Sequence, residues 1–447
     1  NRLKKVLGSV ISEYQSAYLS NRNILDGPLI INEVITWLKK DKAKAFLFKI
    51  DFEKAFDSLN WNFIDKVFEQ MGFPDRWRIW IRGILSSARA SVLVNGAPTA
   101  EFDYHRGLRQ GDPLSPFIFI VAMEALSCFM NRLVSCGVFK GISLPGYNTQ
   151  ITHLIYADDV LMIGEWEDTN VYNLARFMRC FYLVSGLKIN IRKSSLVGIG
   201  LEQNVVKRLA DKLNCRSGSL PFTYLGLQVG ANMNRIKSWD PVIQYFDSRL
   251  SKWKAETISI GGRCTLVKAV LDSLPTYYFS LYKAPMAVIN KLELIRRRFL
   301  WGNSQDTRKI HWVAWDKVVQ PKVNGGLGLG KLKDMNVSLL SKWWWRFKTV
   351  KSAFWKEIIM AIHSNRRLHQ SIPVKKKYSG VWVNIYKGVN ALNEKGINID
   401  NLIEGSVKDG GLLKFWLDTW IDNQPLKEKF PLLYNLEYTT KKIKTIK

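Results

Sequence analysis

The chain has 447 residues, 47% of them hydrophobic and 12% aromatic, which excludes a disordered polymer and supplies buried cores for about two to four domains. Sixty-six Lys and Arg against 38 Asp and Glu leave a net charge of +28, so the natural partner is a polyanion, nucleic acid ahead of an anionic membrane surface. The longest apolar stretches, such as Phe117 to Ala122 and Val160 to Ile163, fall well short of the roughly 20 residues a span requires, so neither a transmembrane helix nor a membrane partner is expected.

In chain order, Ala45 to Asp51 alternates Phe46, Phe48 and Ile50 with Leu47, Lys49 and Asp51, which predicts a strand with two usable faces that ends on a carboxylate. Phe63, Ile64, Val67, Phe68 and Met71 then recur at helical spacing, with Asn60 as cap and Gly72 as stop. Asn95-Gly96 between Ser91-Val-Leu-Val94 and Thr99 to Asp103 signals a hairpin. Pro116 to Val134 is apolar at helical spacing, and read by itself the preceding Asp112-Pro113 suits a helix entry. Thr152 to Tyr156 and Val160 to Ile163 are apolar runs joined by Ala157-Asp158-Asp159, a tight hairpin tipped by acids. Strand, helix, hairpin, helix, hairpin is an α+β order.

Beyond a boundary near Ala231 to Asn234, the chain reads mostly as amphipathic helix. Residues 234–377 hold 28 basic and 9 acidic residues, a surplus of 19 out of the chain's 28. There Trp253, Arg296-Arg-Arg298, Trp301, Trp312, Trp315 and Trp343-Trp-Trp345 interleave rings with cations, which suits backbone contacts and base stacking, although Trp is also an ordinary core residue. Gly325 to Gly330 lacks the Lys-Ser/Thr of a phosphate loop. Pro373-Val-Lys-Lys-Lys377 reads as a solvated linker and Lys441 to Lys447 as a basic end. The 5 cysteines are scattered without a Cys-x-x-Cys, which indicates neither a disulfide framework nor a zinc site and suits a reducing intracellular compartment, cytoplasmic or nuclear.

Adjacent aspartates inside an apolar hairpin need a cation or donors if buried, and a polar turn is the alternative. Because neighbouring strand residues face opposite ways, Asp158 and Asp159 should not address one site together, and Asp51 is the best candidate for the second ligand. Were these strands neighbours, Asp51 and Asp158 could hold two divalent ions roughly 3.5 to 4 Å apart, the arrangement for in-line phosphoryl transfer, with hard oxygens favouring Mg²⁺.

Together, five ordered motifs resemble the reverse transcriptases of non-LTR, LINE-type retrotransposons, particularly plant ones. Phe48-Lys-Ile-Asp-Phe-Glu-Lys-Ala-Phe-Asp57 and Tyr156-Ala-Asp-Asp159 resemble the two catalytic motifs, and Arg106-Gly-Leu-Arg-Gln-Gly-Asp-Pro-Leu-Ser-Pro116 resembles the nucleotide-pocket motif. Gly186-Leu-Lys-Ile-Asn-Ile-Arg-Lys-Ser194 is similar to the motif that follows, and Tyr224-Leu-Gly-Leu227 to the primer-gripping hairpin, with Tyr224, Leu225 and Gly226 as the grip. The resemblance implies a polymerase right-hand fold with partial fingers and an antiparallel palm sheet backed by helices over residues 1–233, and a helical thumb over 234–300. A basic Trp-rich connecting region over 301–370 and a linker and C-terminal segment over 371–447 would follow. Lys309-Ile-His-Trp-Val-Ala-Trp315 and Gly325-Gly-Leu-Gly-Leu329 look like the connecting segment of plant LINE proteins.

The activity it implies is RNA-directed DNA polymerisation on an RNA template and DNA primer or target, consuming dNTPs. Asp51 and Asp158 would bind two Mg²⁺ ions, with Mn²⁺ as substitute, joined by the Phe52 carbonyl and assisted by Asp159. Phe56 would lie under the sugar and select DNA, unless it is core packing. Arg109, Gln110 and Gly111 would line the nucleotide pocket, and Lys193, or its competitor Lys188, would protonate pyrophosphate. The start resembles the interior of a fingers region, so a fragment of a larger polyprotein is expected, with an inert nucleic-acid-binding remnant as the alternative function.

Overall fold

The protein is described by a computed structural model that covers residues 2–147, 149–250, 257–302, 310–364, 372–397, 399–400, 402–407, 413–422, 424–437 and 444–446; Trp253 and Lys309 lie outside the described residues. The chain divides into two compact units, Asn1–Gly226 and Leu227–Lys447, so the division falls a few residues before the expected 231–234.

Alternation makes the sheet of the first unit. Strands β1 (Ala45–Ile50), β2 (His153–Tyr156), β3 (Asp159–Glu165), β4 (Ser195–Ile199) and β5 (Arg216–Gly218) lie in the order β5-β4-β1-β3-β2. All pairs are antiparallel except β4 with β5, which is parallel, so the expectation of a wholly antiparallel sheet is corrected at that edge. Cross-strand partners share a face, and Phe48 stands between Met162 and Leu196. Those residues, with Phe46 and Ile50, join one buried cluster with Ile118 to Leu126 of helix α3 (Ser115–Ser135). Leu47 stands between Ile163 and Val197 on the opposite face, and all three are buried. Helix α1 (Asp26–Lys40), which the sequence reading left unassigned, packs on β2 and β4; Asp26 in its first turn and Lys39 and Lys40 in its last complement its dipole.

Helix α2 (Trp61–Gln70) starts where expected, because Asn60 Oδ1 accepts hydrogen bonds from the Asn62 and Phe63 N–H groups, and Gly72 turns the chain away at φ +77°. The Asn95-Gly96 hairpin forms, with both turn residues at positive φ and Leu93–Val94 paired to Ala97–Pro98. Among the described residues α3 alone is long and apolar enough to cross a membrane, longer than the apolar runs counted in the sequence, and its central stretch is buried in the core of this unit.

The second unit is mainly helical, including α4 (Met286–Leu300), α5 (Leu332–Thr349) and α6 (Val381–Asn393). Helix α6 packs on α5, with Tyr386 stacked 5.6 Å from Trp344, and Trp416, Leu417 and Leu426 form a small further core. Residues after 371 therefore contribute packed structure beyond the expected linker.

Candidate functional site

The acidic hairpin is built by register. Tyr156 pairs with Asp159, leaving Ala157 and Asp158 as a two-residue turn with Ala157 at φ +53°. Pairing of β1 with β3 ends at Ile50 opposite Val160, so one step on Asp51 comes level with Asp159. Alternation gives both the face of Leu47 and Lys49, away from the core cluster. The sequence reading expects Asp51 and Asp158 to share the ions; the ladder ends at Ile50 opposite Val160, with Asp159 the next residue on that strand and Asp158 exposed at the tip of the turn. Burial raises the Asp159 carboxyl above its ordinary range; Lys49 opposes that, and Asp158 and Asp51 add to it. All three acids thus share one field at one end of the inner strands β1 and β3.

The backbone of Asp51 is held by the segment that follows helix 168–185. Its N–H donates to Ser194 Oγ at 3.2 Å, its carbonyl accepts from Asn190 N–H at 2.7 Å, and Ser194 Oγ donates to the Asn190 carbonyl at 2.9 Å. Glu53 N–H donates to the Lys188 carbonyl at 2.8 Å, which completes a bridge in which Phe52 faces Ile189 and turns its own carbonyl away from that segment. Lys188 Nζ is 3.0 Å from Glu53 Oε2, while exposed Lys193 has no ion pair among the described residues.

The segment from Arg106 to Pro116 is stitched to the loop after Phe52. Gly107 N–H donates to the Leu59 carbonyl (2.8 Å), Leu108 N–H to the Phe56 carbonyl (2.7 Å) and Trp61 Nε1 to the Gly107 carbonyl (2.7 Å). Gly107 has φ +80°, and a Cβ there would lie 2.4 Å from the Asp57 carbonyl oxygen, so no side chain fits. Gln110 Nε2 donates to Asp57 Oδ1 at 3.2 Å, and Gly111 stands in open space. Arg109 is tied to Asp112 at 3.0 Å; Asp112 also accepts from Leu114 N–H and closes a turn ahead of α3, so the helix entry read at Asp112-Pro113 falls instead at Ser115. The half-buried Phe56 ring stacks on Phe119 of α3 at 4.4 Å and 12°, so packing holds one face.

Strand Phe222–Tyr224 runs into Leu225 and Gly226, both at positive φ. Tyr224 is buried beside Gly27 of α1, so exposure at the expected grip falls on Leu225 and Gly226. Lys49 Nζ donates to the Thr223 carbonyl at 3.1 Å and ties β1 to this strand.

The sequence reading missed several contributors. Tyr18, at φ +60°, has its hydroxyl pushed up by burial and then by Tyr156 and Asp158. Gln15, Asn190, Ser194 and the contact of Lys49 with Thr223 escaped as well; Lys49, Asn190 and Ser194 lie inside motifs already singled out, whereas Gln15 carried no signal. In the second unit Arg296 is fully buried, 2.7 Å from both Asp272 and Glu293, and its backbone contacts to Leu329 and Gly330 hold the glycine-rich loop. It is structural, as are buried Trp301, Trp343 and Trp344, whereas Trp312 and Trp345 are exposed.

Carboxylates with a nearby backbone carbonyl are hard oxygen donors of the kind Mg²⁺ takes, and the mutual repulsion felt at Asp159 is what a divalent cation would relieve. Among the described residues, however, no three His, Cys, Asp or Glu side chains are drawn together as a ready ligand set.

The family described as reverse transcriptase (RNA-dependent DNA polymerase) matches residues 1–229. The transposon TX1 149 kDa protein of Xenopus laevis is 25% identical over 73% of this chain and 24% of its own length. A Pol polyprotein from a type-2 retrotransposable element of Drosophila melanogaster is 26% identical over 71% of this chain and 30% of its own. A mitochondrial protein of Arabidopsis thaliana is 35% identical over 24% of this chain and 88% of its own. The chain spans under a third of the length of the two transposon proteins.

Proposed function

The chain belongs to the reverse transcriptase (RNA-dependent DNA polymerase) family, and from that premise we propose that it extends a DNA primer on an RNA template as the polymerase of a non-LTR retrotransposon. The observation that carries the reading is the register that brings Asp51 level with Asp159 beside Asp158, inside a domain matched to the family. In this reading the first unit holds the fingers and palm, and the thumb begins the second.

Asp51, Asp158, Asp159 and the Phe52 carbonyl would hold two Mg²⁺ ions, and such ions would supply positive charge to offset the triphosphate and the negative charge that develops in phosphoryl transfer. The remaining work belongs to positioning. The Ser194 and Asn190 clamp sets the Asp51 backbone, and the stitched loop sets the Phe56 ring, which lies under the incoming sugar and excludes a 2′-hydroxyl. Gln110 and Gly111 line the nucleotide pocket with Arg109 behind them, and Gly111 lets the substrate approach the backbone. Lys193 has its charge free to reach pyrophosphate, whereas Lys188 is engaged with Glu53, which favours Lys193 as the proton donor. Leu225 and Gly226 meet the primer.

Primer extension on an RNA template, followed against Mg²⁺ concentration, tests the reading. The wild-type chain extends and Asp51→Ala and Asp158→Ala do not; equal extension by all three would remove these residues from the chemistry.

A further inference from the structure

We propose that Gln15 is a positioning residue for the acidic hairpin, fixing through one side-chain oxygen the turn that presents Asp158 and Asp159. Its effect on catalysis rests on the polymerase reading, but the geometry stands apart from it.

Gln15 lies 142 residues from the turn in sequence, and its Oε1 accepts the Ala157 N–H at 3.0 Å and the Ala17 N–H at 3.0 Å. Ala157 needs that acceptor. It is the first residue of the two-residue turn, it is buried, and it holds a positive φ that an alanine disfavours. Its N–H stands outside the Tyr156 and Asp159 ladder and beyond the reach of water, and a buried donor left unpaired is costly.

The loop that carries Gln15 is itself fixed. It extends the sheet at the exposed edge of β2: Ile155 N–H donates to the Tyr14 carbonyl at 2.9 Å, and Ser16 N–H donates to the Ile155 carbonyl at 3.0 Å. The Arg22 guanidinium donates to the carbonyls of Ile11, Ser12 and Gln15. Ser12 Oγ in turn donates to Glu124 Oε2 of α3 at 2.9 Å. A connected path therefore runs from the core helix through this loop to the acid-bearing turn. The same loop brings Tyr18 beside Asp158.

One feature separates a positioning role from plain core filling. Gln15 is 1% exposed and its Nε2 has no hydrogen-bond partner among the described residues. A filler at this site would be better served by Met or Leu, which bury no amide; the orphan donor is tolerated with an oxygen that the turn requires.

The test uses the full chain. Gln15→Met keeps the length of the side chain and removes the acceptor. The expected result is a fall in kcat on the order of 10- to 100-fold, since a shift of about 1 Å in a catalytic group costs about that much, with little change in KM for dNTP. Hydrogen exchange should accelerate at the Ala157 amide while the Ile163 amide, inside β3, keeps its protection. Gln15→Glu, which retains an acceptor oxygen at the same reach, should restore slow exchange at Ala157. Arg22→Lys, which loosens the loop and leaves Gln15 in place, gives a milder loss of the same kind and serves if Gln15→Met does not fold. Unchanged kcat and unchanged Ala157 exchange in Gln15→Met, or in Arg22→Lys where that variant stands in, overturn the inference. If the wild-type chain extends no primer, the polymerase reading fails instead, and the exchange measurement still decides the role of Gln15.

Discussion

Phe56 is proposed to serve packing and selection together. Its stack on Phe119 holds one face of the ring and leaves the residue half exposed. Phe56→Ala should cost about 3 kcal/mol of stability, at the low end for a truncated aromatic because the ring is only half buried. It should also raise ribonucleotide incorporation relative to dNTP. Competition between rNTP and dNTP in the extension assay checks this; a variant that is destabilised but equally selective reduces Phe56 to a core residue. Glu124 gives a residue-scale prediction for pH. Burial, only partly offset by Ser12 and Arg22, pushes its carboxyl up to about 7 from an ordinary 4.5. The folded protein thus keeps this proton where the unfolded chain has lost it. The group's contribution is complete below pH 4.5 and disappears as pH rises through 7. Glu124→Gln should flatten that slope and gain on the wild type by roughly 2 to 3 kcal/mol at pH 8, read from urea titrations across pH.

Elements carry the candidate site because the backbone at Asp51 and at the acidic turn is held by neighbouring segments. Ser194→Ala leaves the Asp51 N–H without its acceptor in a buried environment, and should cost about 1 to 2 kcal/mol of stability while lowering kcat more than KM. Denaturant midpoints and steady-state extension separate the two effects. The hairpin, β1, α2 with its Asn60 cap and most of α3 were legible in the sequence, because alternation, caps and turn dipeptides are local signals. The acids were legible as a set, whereas the register that brings the end of β1 level with the start of β3 is a property of strands far apart in the chain and carries no local signal. Helix α1 has apolar residues on nearly every side, since it is buried along most of its length, and so lacks the polar face that marks a surface helix. Gln15 and Tyr18 were invisible because what defines them is contact with a turn far along the chain.

At the scale of the whole molecule, +28 is divided between charges that build the fold and charges left for a partner. The cluster Arg296-Arg-Arg298 shows the difference within three residues. Arg296 is sealed between Asp272 and Glu293, whereas Arg297 lines a cleft of about 520 Å³ with Asn290, Trp315, Lys331 and Lys333. Lys331 is paired with Asp316, and Glu293 is occupied by Arg296, the Trp315 N–H and the Leu332 N–H, so among the described residues of this cleft Arg297 and Lys333 remain to meet phosphate. Binding of an RNA and DNA hybrid should therefore weaken as salt rises, each neutralised phosphate adding about 0.9 to the slope of log affinity against log salt. Lys333→Ala should lower that slope by about one such step at unchanged stability. Arg296→Ala should instead remove a buried cation from two half-buried carboxylates and cost about 3 kcal/mol of folding, with loss of binding only through loss of structure. Fluorescence anisotropy of a labelled hybrid from low to high salt, set beside thermal denaturation of the same variants, distinguishes them. An unaltered salt slope for Lys333→Ala would remove this cleft from the nucleic-acid surface.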